Sequence, residues 1–473
     1  MEYIKNQIIE LEIFDMTKDG LGVAKKNSQV FFVKDAITGD KVNTIITKAS
    51  ANVVYAKAIE ILSKSNYRVD SKCSVSNRCG GCQLLNLDYK KQLELKTNYV
   101  INTINKIGKF SIDYIKAHHD GIIYMDEPYR FRNKMQVPFA VKNGEVVYGF
   151  FAGRTHYVVE FDDCIVGFKG SDKILKTIKK AIIKYNISVY DEKTNEGIFR
   201  ELLIRCGNIS KEISLTYILN DSDYEDRIEL YKEFDKNVCE NLSLKSIQIA
   251  TSTININTSN NNILLGKKNI VLNGKGYIED KIGDIKYHIS PESFYQVNIE
   301  MTKPLYDKVI EYADFKGDET VLDLYCGIGT ISLYIAKYIK SVTGIEIVEK
   351  AIENAKENAT INSINNARFI CADVDEDLSN NSDFSQISLN EFDIVLLDPP
   401  RKGLDENTIK LIKSINPKKV IYVSCDPATL ARDLNIICNE CNDYRLERIS
   451  NVDMFPHTMH VETIALIENR RKN

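Results

Sequence analysis

The chain of 473 residues and 53.9 kDa is about three times a typical single-domain length, so two or three separate cores are expected. A hydrophobic fraction of 44% with 27% charged residues excludes a disordered chain, no apolar run approaches the roughly 18 residues that span a bilayer, and the charges in residues 1–11 do not read as a secretory leader. The net charge of −4 divides unevenly: residues 1–60 hold 8 basic and 8 acidic side chains, 61–170 hold 16 and 11, and 171–473 hold 38 and 47, so a polyanion is expected to dock on the middle segment if anywhere.

A cytoplasmic monomer with no membrane partner is expected, and its odd number of cysteines, 11, points to thiols, ligands or a nucleophile instead of secreted disulfides. Residues 1–60 alternate in the manner of strands, as in Gln7-Ile8-Ile9-Glu10-Leu11-Glu12-Ile13, and glycine turns at Gly20, Gly22 and Gly39 interrupt them. This predicts a small antiparallel barrel of OB-like character, a fold that often binds single-stranded nucleic acid without proving it. The run Lys18-Asp19-Gly20-Leu21-Gly22-Val23-Ala24, with Phe32-Val33 and Ala36-Ile37-Thr38-Gly39-Asp40-Lys41-Val42 after it, resembles the RNA-binding TRAM domain.

Residues 61–285 read as a mixed α+β central domain, helical over 88–109 and strand-rich over 129–161. Tyr129-Arg130-Phe131-Arg132-Asn133-Lys134 interleaves cations with rings, a pattern that can pair phosphates and stack bases or can simply be a charged edge strand; nearby Arg154, Thr155 and His156 favour RNA. Cys73, Cys79 and Cys82 have the spacing C-x5-C-G-G-C, with Cys164 downstream. Four thiolates suit a tetrahedral zinc or a four-iron cluster, and spacing does not choose between them. It does depart from the C-x3-C-x2-C of radical enzymes, so reductive cleavage of a cofactor is not expected. Residues 210–270, rich in Asn, Ser and Ile, show no chemistry and no repeat.

Residues 286–473 alternate strand and helix regularly from Thr320, the pattern of a doubly wound, Rossmann-like α/β sheet. Val321-Leu322-Asp323-Leu324-Tyr325-Cys326-Gly327-Ile328-Gly329-Thr330 reads as strand, glycine turn and helix, and Gly327 would let a ligand approach the backbone. The third glycine of the dinucleotide fingerprint is missing. Glu346, at the end of the next strand, can accept two ribose hydroxyls, and Asp373, after the third, can meet an adenine amine. These strand ends fit S-adenosylmethionine better than NAD.

Asp398 opens Asp398-Pro399-Pro400-Arg401-Lys402-Gly403, where two prolines stiffen the turn at the pocket edge. Cys425 ends the fifth strand beside a helix start, where local dipoles are expected to favour thiolate. Cys206, Cys239, Cys326 and Cys371 are expected to be buried and inert, and the Cys438, Cys441 pair to be core packing.

The run Asp398 to Gly403, the run Ser424-Cys425-Asp426-Pro427-Ala428-Thr429-Leu430-Ala431-Arg432-Asp433, and the ending Met454-Phe455-Pro456-His457-Thr458-Met459-His460-Val461-Glu462 resemble the RNA 5-methyluridine methyltransferase family, in order and over essentially the whole chain. The resemblance implies Cys425 as nucleophile, Glu462 as base, and Gln296, Tyr325, Glu346 and Asp398 as cofactor residues. It also implies a [4Fe-4S] cluster on Cys73, Cys79, Cys82 and Cys164, and, from barrel and cluster together, 23S rRNA as substrate ahead of tRNA. Without the resemblance Glu462 would read as a surface acid, and His457 and His460 receive no catalytic role. A DNA cytosine-5 methyltransferase is disfavoured because Asp398-Pro399-Pro400 stands where a Pro-Cys pair is expected. A non-catalytic RNA assembly factor is disfavoured by the presence of Cys425 and the cofactor acids, and an iron–sulfur redox protein leaves the carboxylates at the strand ends unexplained.

Overall fold

The computed structural model describes residues 3–261, 263–376, 391–440 and 443–472. Its amino-terminal sheet has six strands, and one continuous stretch bonds to both of its edges: Ile8–Glu12 pairs with Lys41–Ala49, while Asp15–Met16 pairs with Gly22–Lys26. That double pairing closes the sheet into a barrel, which departs from the expected antiparallel one in that Gln29–Lys34 and Val53–Ser63 pair in parallel. Alternation along the strands sends Leu11, Phe31, Val33, Val42, Ile46 and Val54 inside.

The second sheet runs, in spatial order, Val158–Glu160, Glu145–Phe151, Lys134–Lys142, Phe199–Cys206, Ile213–Leu219, Ile249–Ile256 and Lys268–Asn273. Helix Ile228–Ser243 makes the crossover that its one parallel pair, Ile213–Leu219 with Ile249–Ile256, requires. Helix Ser171–Lys184 packs beside it. Ile174, Leu175, Ile178, Ala181 and Ile182 recur at helical spacing and are buried, leaving Lys173, Lys176, Lys180 and Lys184 on the outer face.

The third sheet positions the site. Its order is Ala367–Cys371, Ser341–Glu346, Thr320–Leu324, Ile394–Leu397, Lys419–Ser424, Glu462–Asn469, Tyr444–Val452 and His119–Ile123. The first five are parallel, and Glu462–Asn469 is antiparallel to Lys419–Ser424. The chain winds outward from Thr320–Leu324 in one direction and then in the other, which leaves a crevice at the carboxyl ends of the central strands. His119–Ile123, from the stretch read as central domain, is the eighth strand of this sheet, and helix Tyr89–Lys106 packs on helix Pro427–Leu434. Among the described residues no helix is long and apolar enough to cross a membrane.

Candidate active site

Strand Thr320–Leu324 is buried and ends in a left-handed turn, with Tyr325 at φ 66° and Gly327 at φ 56°. A Cβ on Gly327 would meet nothing within 4 Å, so glycine serves the backbone there and leaves the space in front of it open. On Gly329, at φ 77°, it would strike Phe369 at 2.8 Å, so that glycine serves both the backbone and the packing. Glu346 is fixed beside the turn by accepting the Gly327 and Val348 N–H groups at 3.2 and 3.0 Å. The Tyr325 hydroxyl donates to Asp375 at 2.8 Å, and Asp375 pairs with Lys402 at 2.6 Å, a support that sequence reasoning missed. The Asp375 N–H in turn donates to Asp373 at 2.9 Å. Gln296 is buried, and its carbonyl accepts from Asn133 at 3.0 Å.

The antiparallel register Ser424 to Thr463, continued by one pair, sets Cys425 beside Glu462. Asp398 follows the adjacent strand. Cys425, Glu462, Gln296, Tyr325, Gly327, Glu346, Asp373 and Asp398 all line one cavity of about 610 Å³, joined by Phe294, Arg401, Phe455 and His460.

Acid dominates the electrostatics of this cavity. Burial, and then the neighbouring Asp398, push the Glu462 carboxyl up to about 8 against the pull of Arg401. Burial and Asp323 push Asp398 up to about 7; Asp323 itself is pushed up to about 7 by burial despite its hydrogen bond from Ser332. Cys425 is pushed up to about 11, first by burial and then by Glu462 and Asp398, with Arg401 hydrogen-bonded to it in opposition. The expectation of a dipole-favoured thiolate is therefore corrected: Asp426 already caps the helix start, accepting from Ala428 at 2.8 Å, and the carboxylates outweigh what remains. Buried acids short of a counterion suit a cationic ligand such as a sulfonium, and suit a pyrophosphate poorly.

The loop before Glu462 is clamped from outside its own sheet. His457, at φ 65°, offers its carbonyl to the N–H groups of Gln83 and Leu84 at 3.0 and 2.9 Å, and its own N–H donates to Gln92 at 3.0 Å. Lys96, fully buried, pairs with Asp453 and donates to the Phe455 carbonyl at 3.0 Å, while Tyr89 donates to Asp453 at 2.7 Å.

Cys73, Cys79, Cys82 and Cys164 line a second cavity of about 490 Å³. Burial and the neighbouring thiols push Cys82 up to about 12. Among the described residues no three His, Cys, Asp or Glu side chains are grouped as they would be around a metal ion. Arg401, Phe455 and His460 line this cavity and the catalytic one alike.

Other expectations change. The cations of residues 129–134 mostly face inward: Arg130 is paired with Asp163, Arg132 donates to the Lys134 carbonyl at 2.9 Å, and burial pushes Lys134 down to about 7. Arg154 pairs with Asp19 at 2.9 Å and His156 with Glu192 at 2.5 Å. Cys326 and Cys438 are buried as expected, Cys206 and Cys239 partly so, but Cys371 is exposed at the end of an edge strand; Cys441 lies outside the described residues.

Comparison with known proteins agrees with this geometry. The family model described as tRNA (Uracil-5-)-methyltransferase matches residues 88–470. A Bacillus cereus protein named as an uncharacterized RNA methyltransferase is 38% identical over 99% of this chain and 98% of its own length, and one of the same name from Clostridium tetani is 38% identical over 98% and 96%. The crystal structure of Pyrococcus abyssi tRNA (uracil-54, C5)-methyltransferase in complex with S-adenosyl-L-homocysteine superimposes with a TM-score of 0.74 and 27% identity, covering 97% of this chain and 100% of that one.

Proposed function

The chain belongs to the S-adenosylmethionine-dependent RNA (uracil-5-)-methyltransferase family, and from that premise we propose that it methylates carbon 5 of a uridine in large-subunit ribosomal RNA through a covalent bond to Cys425. The observation that carries the mechanism is the meeting of Cys425, Glu462 and the strand-end acids in one cavity.

Uracil carbon 5 is too weak a nucleophile to take a methyl group unaided. Cys425 loses its proton to solvent and its sulfur bonds carbon 6, moving the ring electrons into an enolate that makes carbon 5 nucleophilic. Arg401, the cation against the thiol, stabilises the thiolate that must form. S-adenosylmethionine, when bound, supplies the methyl group as an electrophile on a cationic sulfur. Carbon 5 then carries both the methyl group and its original hydrogen. Glu462 removes that proton, the bond from sulfur to carbon 6 breaks, and the thiolate is restored. Gln296, Tyr325, Gly327, Glu346, Asp373 and Asp398 hold the cofactor, with Glu346 on the ribose hydroxyls and Asp373 on the adenine amine. The uridine is unstacked to enter, with Phe294, 66% exposed at the rim, as a stacking surface.

The cysteine cavity is read as the place of a [4Fe-4S] cluster, as the resemblance implies. What supports it is that all four thiols line this one cavity, where Cys73, Cys79, Cys82 and Cys164 would each hold one iron. These residues would tie their loops together and add no step to methyl transfer. The TRAM-like barrel with this cavity supports the ribosomal substrate. A second reading, a tRNA T-loop uridine, is favoured by the Pyrococcus abyssi structure, whose full length matches this chain. Labelled cofactor offered with 23S rRNA or with tRNA, followed by nucleoside analysis, decides between them: 5-methyluridine in rRNA is expected, while label confined to tRNA overturns the substrate and label in another base overturns the chemistry.

A further inference from the structure

The cations first read as an RNA surface are largely buried or paired with acids, and a second basic surface lies on the helix that follows them. Helix Ser171–Lys184 carries Lys173, Lys176, Lys179, Lys180 and Lys184 against a single acid, Asp172. The stripe from Lys173 to Lys184 runs about 16 Å at the helical rise per residue. Among the described residues the only ion pair made by these lysines is that of Lys176 with Asp172, at 3.9 Å. Lys176, Lys179 and Lys180 face Arg78 across a groove of about 530 Å³, whose acids are Glu160 and Asp162. Glu160 is already engaged by Lys142 at 3.6 Å.

The groove adjoins the cysteine cavity, which in turn adjoins the reaction centre. Val75 and Phe161 line both the groove and the cysteine cavity, and Arg401, Phe455 and His460 line both that cavity and the catalytic one. We propose that the groove between Arg78 and Lys176, Lys179 and Lys180 binds the sugar–phosphate backbone of the RNA whose uridine occupies the catalytic cavity, the strand passing over the cysteine loop between them. The partner class rests on the methyltransferase reading; the groove itself rests on charge, open space and continuity. Phosphate contacts of this kind fix register without reading sequence, and each one neutralised releases counterions that make binding salt-dependent.

The test is the triple variant Lys176→Gln, Lys179→Gln, Lys180→Gln, with binding of a 23S rRNA transcript followed by fluorescence anisotropy across a salt series. Three lost contacts are expected to weaken binding about tenfold or more near physiological salt and to make the log–log salt slope shallower by about 2. Affinity for S-adenosylhomocysteine should stay at the wild-type value, which establishes that the variant folds. Unchanged RNA affinity and slope would overturn the groove. A wild-type protein that binds RNA through these lysines yet makes no 5-methyluridine would instead overturn the methyltransferase reading and leave the groove standing.

Discussion

Cys425 rests as a thiol, because burial, and then the neighbouring Glu462 and Asp398, cost its anion more than Arg401 returns. With Glu462 pushed up to about 8, the proposed base is protonated in the free protein at neutral pH. Turnover of RNA is therefore expected to rise from pH 6 through 8; a flat or falling profile would count against Glu462. Stability should run the other way. Glu462, Asp398 and Asp323 hold protons in the folded state that the unfolded chain releases near pH 4, so raising the pH from about 4 to about 8 destabilises the fold. Glu462→Gln removes its part of that penalty, and thermal melts should show it stabilised relative to wild type at pH 8 and not at pH 4. Cys425 was legible as the candidate nucleophile because it stands in a motif; its protonation state was not, because that depends on its burial and on two acids from other strands, Glu462 and Asp398.

At the scale of elements, helix Tyr89–Lys106 holds the loop that precedes Glu462 through Gln92, Lys96 and Tyr89. Removing one member of a buried ion pair strands the other, so Lys96→Met is expected to cost about 3–5 kcal/mol in denaturant unfolding, with the buried Asp453 left without its cation and held by Tyr89. A loss below about 1 kcal/mol would mean the pair does not hold the loop. Local pattern revealed the barrel strands, this helix, and the strands that end at Glu346, Asp398 and Cys425; that Asp88 caps the helix came from the structure. It did not reveal that His119–Ile123 joins Tyr444–Val452, since a pairing across more than three hundred residues leaves no periodic trace. Without the resemblance Glu462 would read as a surface acid, because its burial comes from the strands on either side of its own, Lys419–Ser424 and Tyr444–Val452.

Across the whole molecule, the Gln83 and Leu84 bonds to the His457 carbonyl connect the cysteine loop to the loop of Phe455, His460 and Glu462. If four irons tie Cys73, Cys79, Cys82 and Cys164, anaerobically purified protein should carry about four irons per chain, and Cys82→Ser should lose the iron and lower the melting temperature. Iron-free wild type that melts at the same temperature as the variant would remove the cluster. The account as a whole is tested most directly by incubating Glu462→Gln with S-adenosylmethionine and substrate RNA and mapping the product by mass spectrometry. With its base absent the protein is predicted to accumulate a covalent RNA adduct on the peptide containing Cys425; an adduct on any other residue, or 5-methyluridine still made by Cys425→Ala, would contradict it.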